Sequence, residues 1–271
     1  MNKIEAFIKE REKLNSQVLN FSKKNIKRFF NLDTNVYKDG ELMQPEKELM
    51  GLSASMVLRC DDCISYHLRQ CFSTGITDSE LEEVFSIALI VGGSIVIPHL
   101  RRAVDFWSSL QTKAKNDFER ATTYPKLKEV VQKISASKGF KKQKLRRIAV
   151  LLDRYIPHFN WSGFYLANDA EKNLYLGPYV GASTEHKVIP YGEGICGQAA
   201  DTHESFIVDD VNKEDNYLAC SIYVKSELVV PIMKDDKFLG EIDIDSNEKE
   251  AFSHTDKLFL EDIAEIIADF V

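Results

Sequence analysis

Along the first half of the chain, apolar residues return every three or four positions, the spacing that lines one face of a helix. Leu49, Leu52, Met56 and Val57 form one such stripe, and Leu81, Val84, Phe85, Ala88 and Leu89 form a second. Thr77, with Glu80 three residues later, predicts a capping box at the start of the second helix, and Gly92-Gly93 predict its end. A third stripe after Pro98 takes Leu100, Ala103, Val104, Trp107 and Leu110, and the polar run from Lys113 to Arg120 predicts a linker. From about Pro125 the pattern changes: two helical stretches precede short runs rich in aromatic and β-branched residues between turn signals. Strands are expected at Trp161 to Leu166, Leu174 to Leu176, Ser205 to Val208, Leu228 to Met233 and Phe238 to Ile244. A last helix is expected from Ser253 as N-cap, with Asp256 three residues on, burying Leu258, Ile263, Ile266 and Ile267. The fold class is therefore multi-domain: an all-α domain over residues 1–115, then an α+β domain over residues 120–271.

Bulk composition agrees with two folded domains, since 271 residues exceed what one core usually supports. A net charge of −7 argues against nucleic acid or an anionic membrane as partner and leaves a small molecule. The longest apolar stretch, Ile87 to Ile97, is interrupted by Gly92, Gly93 and Ser94 and falls short of the roughly 20 residues that cross a bilayer. Met1 to Leu14 alternates charged and apolar residues, unlike a secretory signal. Five cysteines in such a chain point to thiol chemistry or metal binding in a reducing compartment, so a cytoplasmic location is expected.

Two of those cysteines stand in Arg59-Cys60-Asp61-Asp62-Cys63-Ile64-Ser65-Tyr66-His67. On a helix both thiols and the imidazole share a face, and a pair in the first turn has its thiolate favoured by the helix dipole and unpaired N–H groups. Such a pair can cycle between dithiol and disulfide, with His67 and Glu48 placed to move the proton. The alternative for the same residues is a zinc site, which needs a fourth ligand such as His99. Cys71, in register with Ile64, Leu68 and Phe72, reads as a small core residue. Glu48, the Cys-x-x-Cys-x-x-x-His string, Gly75-Ile76-Thr77 and Glu80 together resemble the alkyl hydroperoxidase D-like branch of the carboxymuconolactone decarboxylase superfamily, over roughly Glu46 to Trp107. The resemblance implies reduction of peroxides or electron relay, with Cys63 attacking, Cys60 forming the disulfide with it, and Glu48 and His67 as proton relay. Asp62 stands where the best-known peroxidase members carry a second histidine.

The second half carries Asn160-Trp161-Ser162-Gly163-Phe164-Tyr165-Leu166, Gly192-Glu193-Gly194-Ile195-Cys196-Gly197-Gln198, Leu218-Ala219-Cys220, Ser226-Glu227-Leu228 and Glu241-Ile242-Asp243-Ile244-Asp245-Ser246. In this order they resemble free methionine-(R)-sulfoxide reductases, which are GAF domains with a central antiparallel sheet. The resemblance implies that Cys220 attacks the sulfoxide sulfur, with Cys196 a second thiol. It also implies that Glu227, Asp243 and Asp245 receive the substrate ammonium, with Trp161 and Tyr165 as aromatic wall. Alternation supports part of this independently: Ile242 and Ile244 face one side of a strand, and Asp243 and Asp245 the other. A solvated strand face is the alternative for that carboxylate pair. The sequence departs from the pattern at His186, where a further cysteine is usual, at Asp215-Asn216-Tyr217, and at Ser221.

The function expected is a thiol-dependent oxidoreductase reducing free methionine-(R)-sulfoxide, with a dithiol or peroxidase-like domain in front. The rival is a ligand-sensing module coupled to that dithiol domain, without reductase activity. The partners expected are methionine sulfoxide or a similar molecule, a hydroperoxide, a dithiol reductant and further copies of the chain, with no cofactor, no metal, no nucleic acid and no membrane.

Overall fold

A computed structural model of the chain describes residues 3–214 and 223–271. The chain divides into two compact units, Met1–Lys113 and Ala114–Val271. Among the described residues no helix is long and apolar enough to cross a membrane.

The first unit is helical throughout: α1 (Lys3–Phe21), α2 (Lys24–Val36), α3 (Gln44–Val57), α4 (Asp61–Ser73), α5 (Asp78–Gly92) and α6 (Ile97–Asn116). Pro45 sits in the first turn of α3, where its missing N–H would have had no intrahelical acceptor. The capping box at α5 forms as its sequence predicts. The Thr77 hydroxyl accepts from the Glu80 N–H at 3.1 Å, and Glu80 accepts from the Thr77 N–H at 2.8 Å. Leu52, Met56, Leu68, Cys71, Leu81, Ala88 and Trp107 are buried. The stripe of α6 differs from expectation, because Val104 is exposed and Phe106 is buried with Ala103, Trp107 and Leu110. Phe106 meets Phe7 edge to face at 5.6 Å, and docking of α1 thereby rotates the covered face by about one residue. The polar run expected as linker also differs: α6 continues to Asn116, since Lys113, Ala114 and Lys115 are good helix formers.

The second unit holds α7 (Arg120–Ala136), α8 (Lys141–Tyr155), β1 (Trp161–Asn168), β2 (Asn173–Val180), β3 (Val188–Pro190), α9 (Gly194–Thr202), β4 (Phe206–Val208), β5 (Ser226–Lys234), β6 (Lys237–Ser246) and α10 (His254–Ile267). Helix α7 begins five residues before Pro125, which lies inside it. The strands form one sheet in the order β3-β2-β1-β6-β5-β4, with antiparallel pairings throughout. β5 and β6 are joined by Asp235 and Asp236, both at positive φ, the backbone that a tight two-residue hairpin requires. β3 was not expected; it is three residues long and ends on Pro190, tolerated at a sheet edge because a proline there leaves no ladder bond unmade.

The pleat gives this sheet two different faces. Phe164, Leu228, Val230, Ile242 and Ile244 point to one side and join Leu145, Ile148, Leu152, Phe259, Leu260 and Ile263 in a single apolar core. Leu258, expected in that core, is exposed, because the buried line of α10 runs through Phe259, Leu260, Ile263, Ala264 and Ile267.

Asp256 ties the helices together. It completes the capping box of α10 with Ser253 and accepts from Arg120 Nη2 at 3.1 Å, from His158 Nε2 at 3.0 Å and from the Tyr124 hydroxyl. Burial opposes its ionisation, but hydrogen bonds from His158, Arg120, Ser253 and Tyr124 outweigh that and hold the carboxyl well below its ordinary range. Asp256→Asn should lower unfolding free energy at neutral pH by about 2–3 kcal/mol, the scale of a charge-assisted hydrogen bond. A depressed carboxyl contributes its stability above the unfolded value and loses it as pH falls through the folded one. The difference between wild type and variant, read by urea denaturation, should therefore shrink below about pH 4.

Candidate functional site

The first constellation stands where α3 hands over to α4. Arg59 takes a left-handed conformation (φ 60°) that turns the chain back, and Cys60 becomes the N-cap of α4. Cys60 thus stands just outside the helix and not on its face. Its sulfur accepts from the Cys63 N–H at 3.3 Å, and the two are disulfide-bonded with Cα atoms 5.3 Å apart. Both are half-buried at the positive end of α4. One turn on, His67 Nδ1 lies 2.7 Å from Glu48 Oε2, and both side chains are buried.

Two aromatic residues that sequence reasoning passed over complete this setting. The rings of Tyr37 and Tyr66 each stand 5.2 Å from the imidazole. Both phenols are pushed up by burial and then by the Glu48 and Asp33 charges, so both stay protonated donors. Tyr66 adjoins His67 in the chain, but no spacing connects Tyr37 to it. Gly51 leaves room for the group: a Cβ there would stand 2.6 Å from both His67 Cε1 and the Tyr37 hydroxyl. The zinc alternative finds no support in these positions. The two sulfurs are bonded to each other, His67 pairs with Glu48, and His99 Nδ1 lies 2.7 Å from Asp61.

The second constellation is the other face of the sheet. Register pairs Trp161 with Asp245, Gly163 with Asp243 and Tyr165 with Glu241, and on the far side of β6 it pairs Glu227 with Asp245. Alternation therefore gathers Glu227, Glu241, Asp243, Asp245, Trp161 and Tyr165 on one side, and α9 covers them with Cys196. The face is not solvated, since all four carboxylates are at most 4% exposed. Glu241 joins Glu227, Asp243 and Asp245, the acids expected from the sequence; the two-residue period of Asp243 and Asp245, extended one step, includes it.

Trp161 lies nearly parallel to Tyr165 and Tyr179, with centroids 6.4 and 5.2 Å away, and its indole N–H donates to the Ala182 carbonyl at 3.1 Å. The Tyr165 hydroxyl donates to the backbone carbonyl of His186 at 2.9 Å, so His186 borders this wall through its main chain. The indole crosses directly over Gly163, where a Cβ would meet it at 2.4 Å. Gly163→Ala should displace the indole and weaken any ligand stacked on it by about tenfold, within the range of an aromatic contact, as read by titration calorimetry. Unchanged affinity would show that the indole is not a wall of the binding site.

Electrostatically the face is a concentration of buried acid. Among the described residues, neither oxygen of Glu241, Asp243 or Asp245 has a hydrogen-bond partner of normal geometry, although the Cys196 thiol stands close enough to Glu241 and Asp243 to favour their ionised forms. The Cys196 thiol donates to Glu227 Oε1 at 3.7 Å. Burial raises every carboxyl in the group, Asp243 to about 7, and the charges of Asp243 and Asp245 raise Glu227 further. Burial, then Asp243, Glu241 and Glu227, push the Cys196 thiol well up, so it rests as a thiol. Such a face is satisfied by protons or by a cationic group. Cys220, together with Asp215-Asn216-Tyr217 and Ser221, lies outside the described residues.

Residues 25–106 match the carboxymuconolactone decarboxylase family, and residues 143–269 match the GAF domain family. Over 110 residues the chain is 49% identical to the free methionine-R-sulfoxide reductase of Saccharomyces cerevisiae, a match spanning 40% of this chain and 61% of the yeast protein's length. It is 31% identical to the free methionine-R-sulfoxide reductase from Neisseria meningitidis solved in complex with its substrate, with a TM-score of 0.53 over 56% of this chain and 90% of that one. A proposed GAF sensor protein from Burkholderia vietnamiensis is similar at 27% identity, with a TM-score of 0.53 over 56% of this chain and 95% of that one. The chain thus belongs to the carboxymuconolactone decarboxylase family through its N-terminal domain and, through its C-terminal domain, to the GAF family, among relatives named free methionine-R-sulfoxide reductase.

Proposed function

We propose that the GAF domain reduces free methionine-(R)-sulfoxide and that the helical domain is a dithiol redox module, the two dividing the chain as residues 1–115 and 120–271. The observation that carries this reading is the set of buried carboxyls at Glu241, Asp243 and Asp245, which have no hydrogen-bond partner of normal geometry among the described residues, beside Glu227 and bordered by Trp161 and Tyr165. Its acids suit an ammonium group and its aromatic wall suits the thioether arm, the two ends of the free amino acid. Sequence similarity to the yeast and Neisseria reductases supports the same substrate.

The chemistry needs one attacking thiol and one resolving thiol. In this reading the Cys220 thiolate attacks the sulfoxide sulfur, the oxygen is transferred to the protein thiol, and methionine leaves, giving a sulfenic acid. A second thiol then displaces that oxygen as water and forms a disulfide, which a dithiol reductant reopens. Sulfoxide and two thiols thus become methionine, a disulfide and water. Cys196 resolves only after the acid around it is compensated, for example by the ammonium of the bound amino acid. In the helical domain, attack by the Cys63 thiolate on a hydroperoxide would break the O–O bond, releasing the alcohol and leaving Cys63 as a sulfenic acid, and the Cys60 thiol would then displace that oxygen as water to form the disulfide, while His67 and Glu48 carry the proton. We place this activity in the cytoplasm, in a homo-oligomer, on the strength of the thiol content and the similarity to the two families.

One observation favours the rival. Cys196 rests protonated, as a ligand-sensing pocket without thiol chemistry would have it, and a proposed GAF sensor is among the similar structures. Turnover separates the readings. Incubating the reduced chain with each methionine sulfoxide epimer and a small dithiol should yield methionine from the R epimer alone, whereas binding with no methionine formed would support the sensor.

A further inference from the structure

Cys196 sits among the acids in a way that an ammonium site does not require. Its sulfur, one Glu227 oxygen and one Asp243 oxygen all lie within 4.8 Å of one another, and all three residues are buried. In a tetrahedral zinc site, with bonds near 2.3 Å to sulfur and 2.0–2.2 Å to oxygen, such donors stand about 3.5 Å apart. Rotamer shifts of about an ångström close the set. Among the described residues, neither Asp243 nor Glu241 has a hydrogen-bond partner of normal geometry, and the Cys196 thiol is the group that approaches both closely enough to favour their ionised forms.

We propose that Cys196, Glu227 and Asp243 form a binding site for a divalent transition metal of the zinc class, with Glu241 beside them as a further acid. The donor set selects the metal: a thiolate excludes magnesium and calcium, and carboxylates are accepted by zinc alongside sulfur. On binding, the Cys196 S–H bond breaks, a metal–sulfur bond forms and the proton passes to buffer, with no change in oxidation state. Three protein ligands leave a fourth position open. The site has a regulatory consequence that rests on the proposed sulfoxide reading: metal and substrate ammonium compete for Glu227 and Asp243, so zinc inhibits turnover. The metal site itself does not depend on that reading.

The test uses the full, reduced chain carrying Cys60→Ser and Cys63→Ser, so that the N-terminal thiols contribute no ligand. Equilibrium dialysis against micromolar zinc should give one metal per chain, and cobalt should give the near-ultraviolet charge-transfer band of a thiolate ligand. Cys196→Ser should lose the band and the stoichiometric zinc, Asp243→Asn should weaken zinc binding at least tenfold, and Cys220→Ser should retain both signals. Circular dichroism of each variant reads folding, and neutralising a buried acid should leave it intact. Absence of stoichiometric metal, or metal retained by Cys196→Ser, overturns the site. Binding of methionine sulfoxide measured separately with a chelator present distinguishes failure of the metal site from failure of the sulfoxide reading.

Discussion

Asp243→Asn is expected to weaken binding of free methionine-(R)-sulfoxide by roughly ten- to a hundredfold while raising the stability of the ligand-free chain. The first effect follows from losing a buried charge-assisted hydrogen bond to the ammonium, about 1.5–3 kcal/mol. The second follows from the burial of Asp243 with no hydrogen-bond partner of normal geometry among the described residues, where its charge is a cost of folding. Burial raises the Asp243 carboxyl to about 7, beside Glu227, Glu241, Asp245 and the Cys196 thiol. A carboxyl raised in the folded state binds more protons there than in the unfolded chain. Its ionisation therefore lowers stability as pH rises from about 4 to about 7. The melting temperature of the ligand-free wild type should fall across that window, and the variant's should fall less. Calorimetric titration and thermal unfolding at pH 8 read the two effects together. A variant that binds as tightly as wild type, or is less stable without ligand, would mean that Asp243 is a structural acid.

His67→Ala should slow formation of the Cys60–Cys63 disulfide by about a hundredfold under mild peroxide, the lower range for a positioned proton-transfer group. The bonding partner of His67 is buried Glu48, so Glu48→Gln should reproduce much of the defect. Gly51→Ala, which crowds His67 Cε1 and the Tyr37 hydroxyl without touching either cysteine, should give an intermediate rate. Quenching with an alkylating agent and weighing the products over time gives each rate. Equal rates in wild type and His67→Ala would leave the pair as a disulfide with no proton relay.

The features legible in the sequence are those set by short-range rules. The capping boxes at Thr77 and Ser253 need only residues three apart, and both form. Alternation along β6 separates Ile242 and Ile244 from Asp243 and Asp245, so one strand announces both the apolar core and the acidic face. Features that depend on a distant partner were not legible. Phe106 displaces Val104 from the covered face of α6 because Phe7 docks there. Tyr37, the C-cap of α2, meets the His67 ring across a long stretch of sequence that no spacing encodes. β3 is too short for a periodicity to register, and the continuation of α6 into the expected linker reflects helix propensity in residues that otherwise look like a solvated tether. Glu241 is the exception, because its two-residue offset from Asp243 was visible and only its burial beneath α9 gives that offset meaning.

On the proposed function, the acidic, aromatic-walled face of the GAF sheet holds free methionine-(R)-sulfoxide for reduction by a protein thiol. The most direct test of that function is a single-turnover measurement on the fully reduced chain with excess R sulfoxide and no external reductant, with free methionine quantified chromatographically. Methionine should form in proportion to protein, with none from the S epimer or from peptide-bound sulfoxide, and none after Cys220→Ser although that variant still binds the substrate. Saturable binding of the R sulfoxide by the reduced chain without any methionine released would contradict the proposed function.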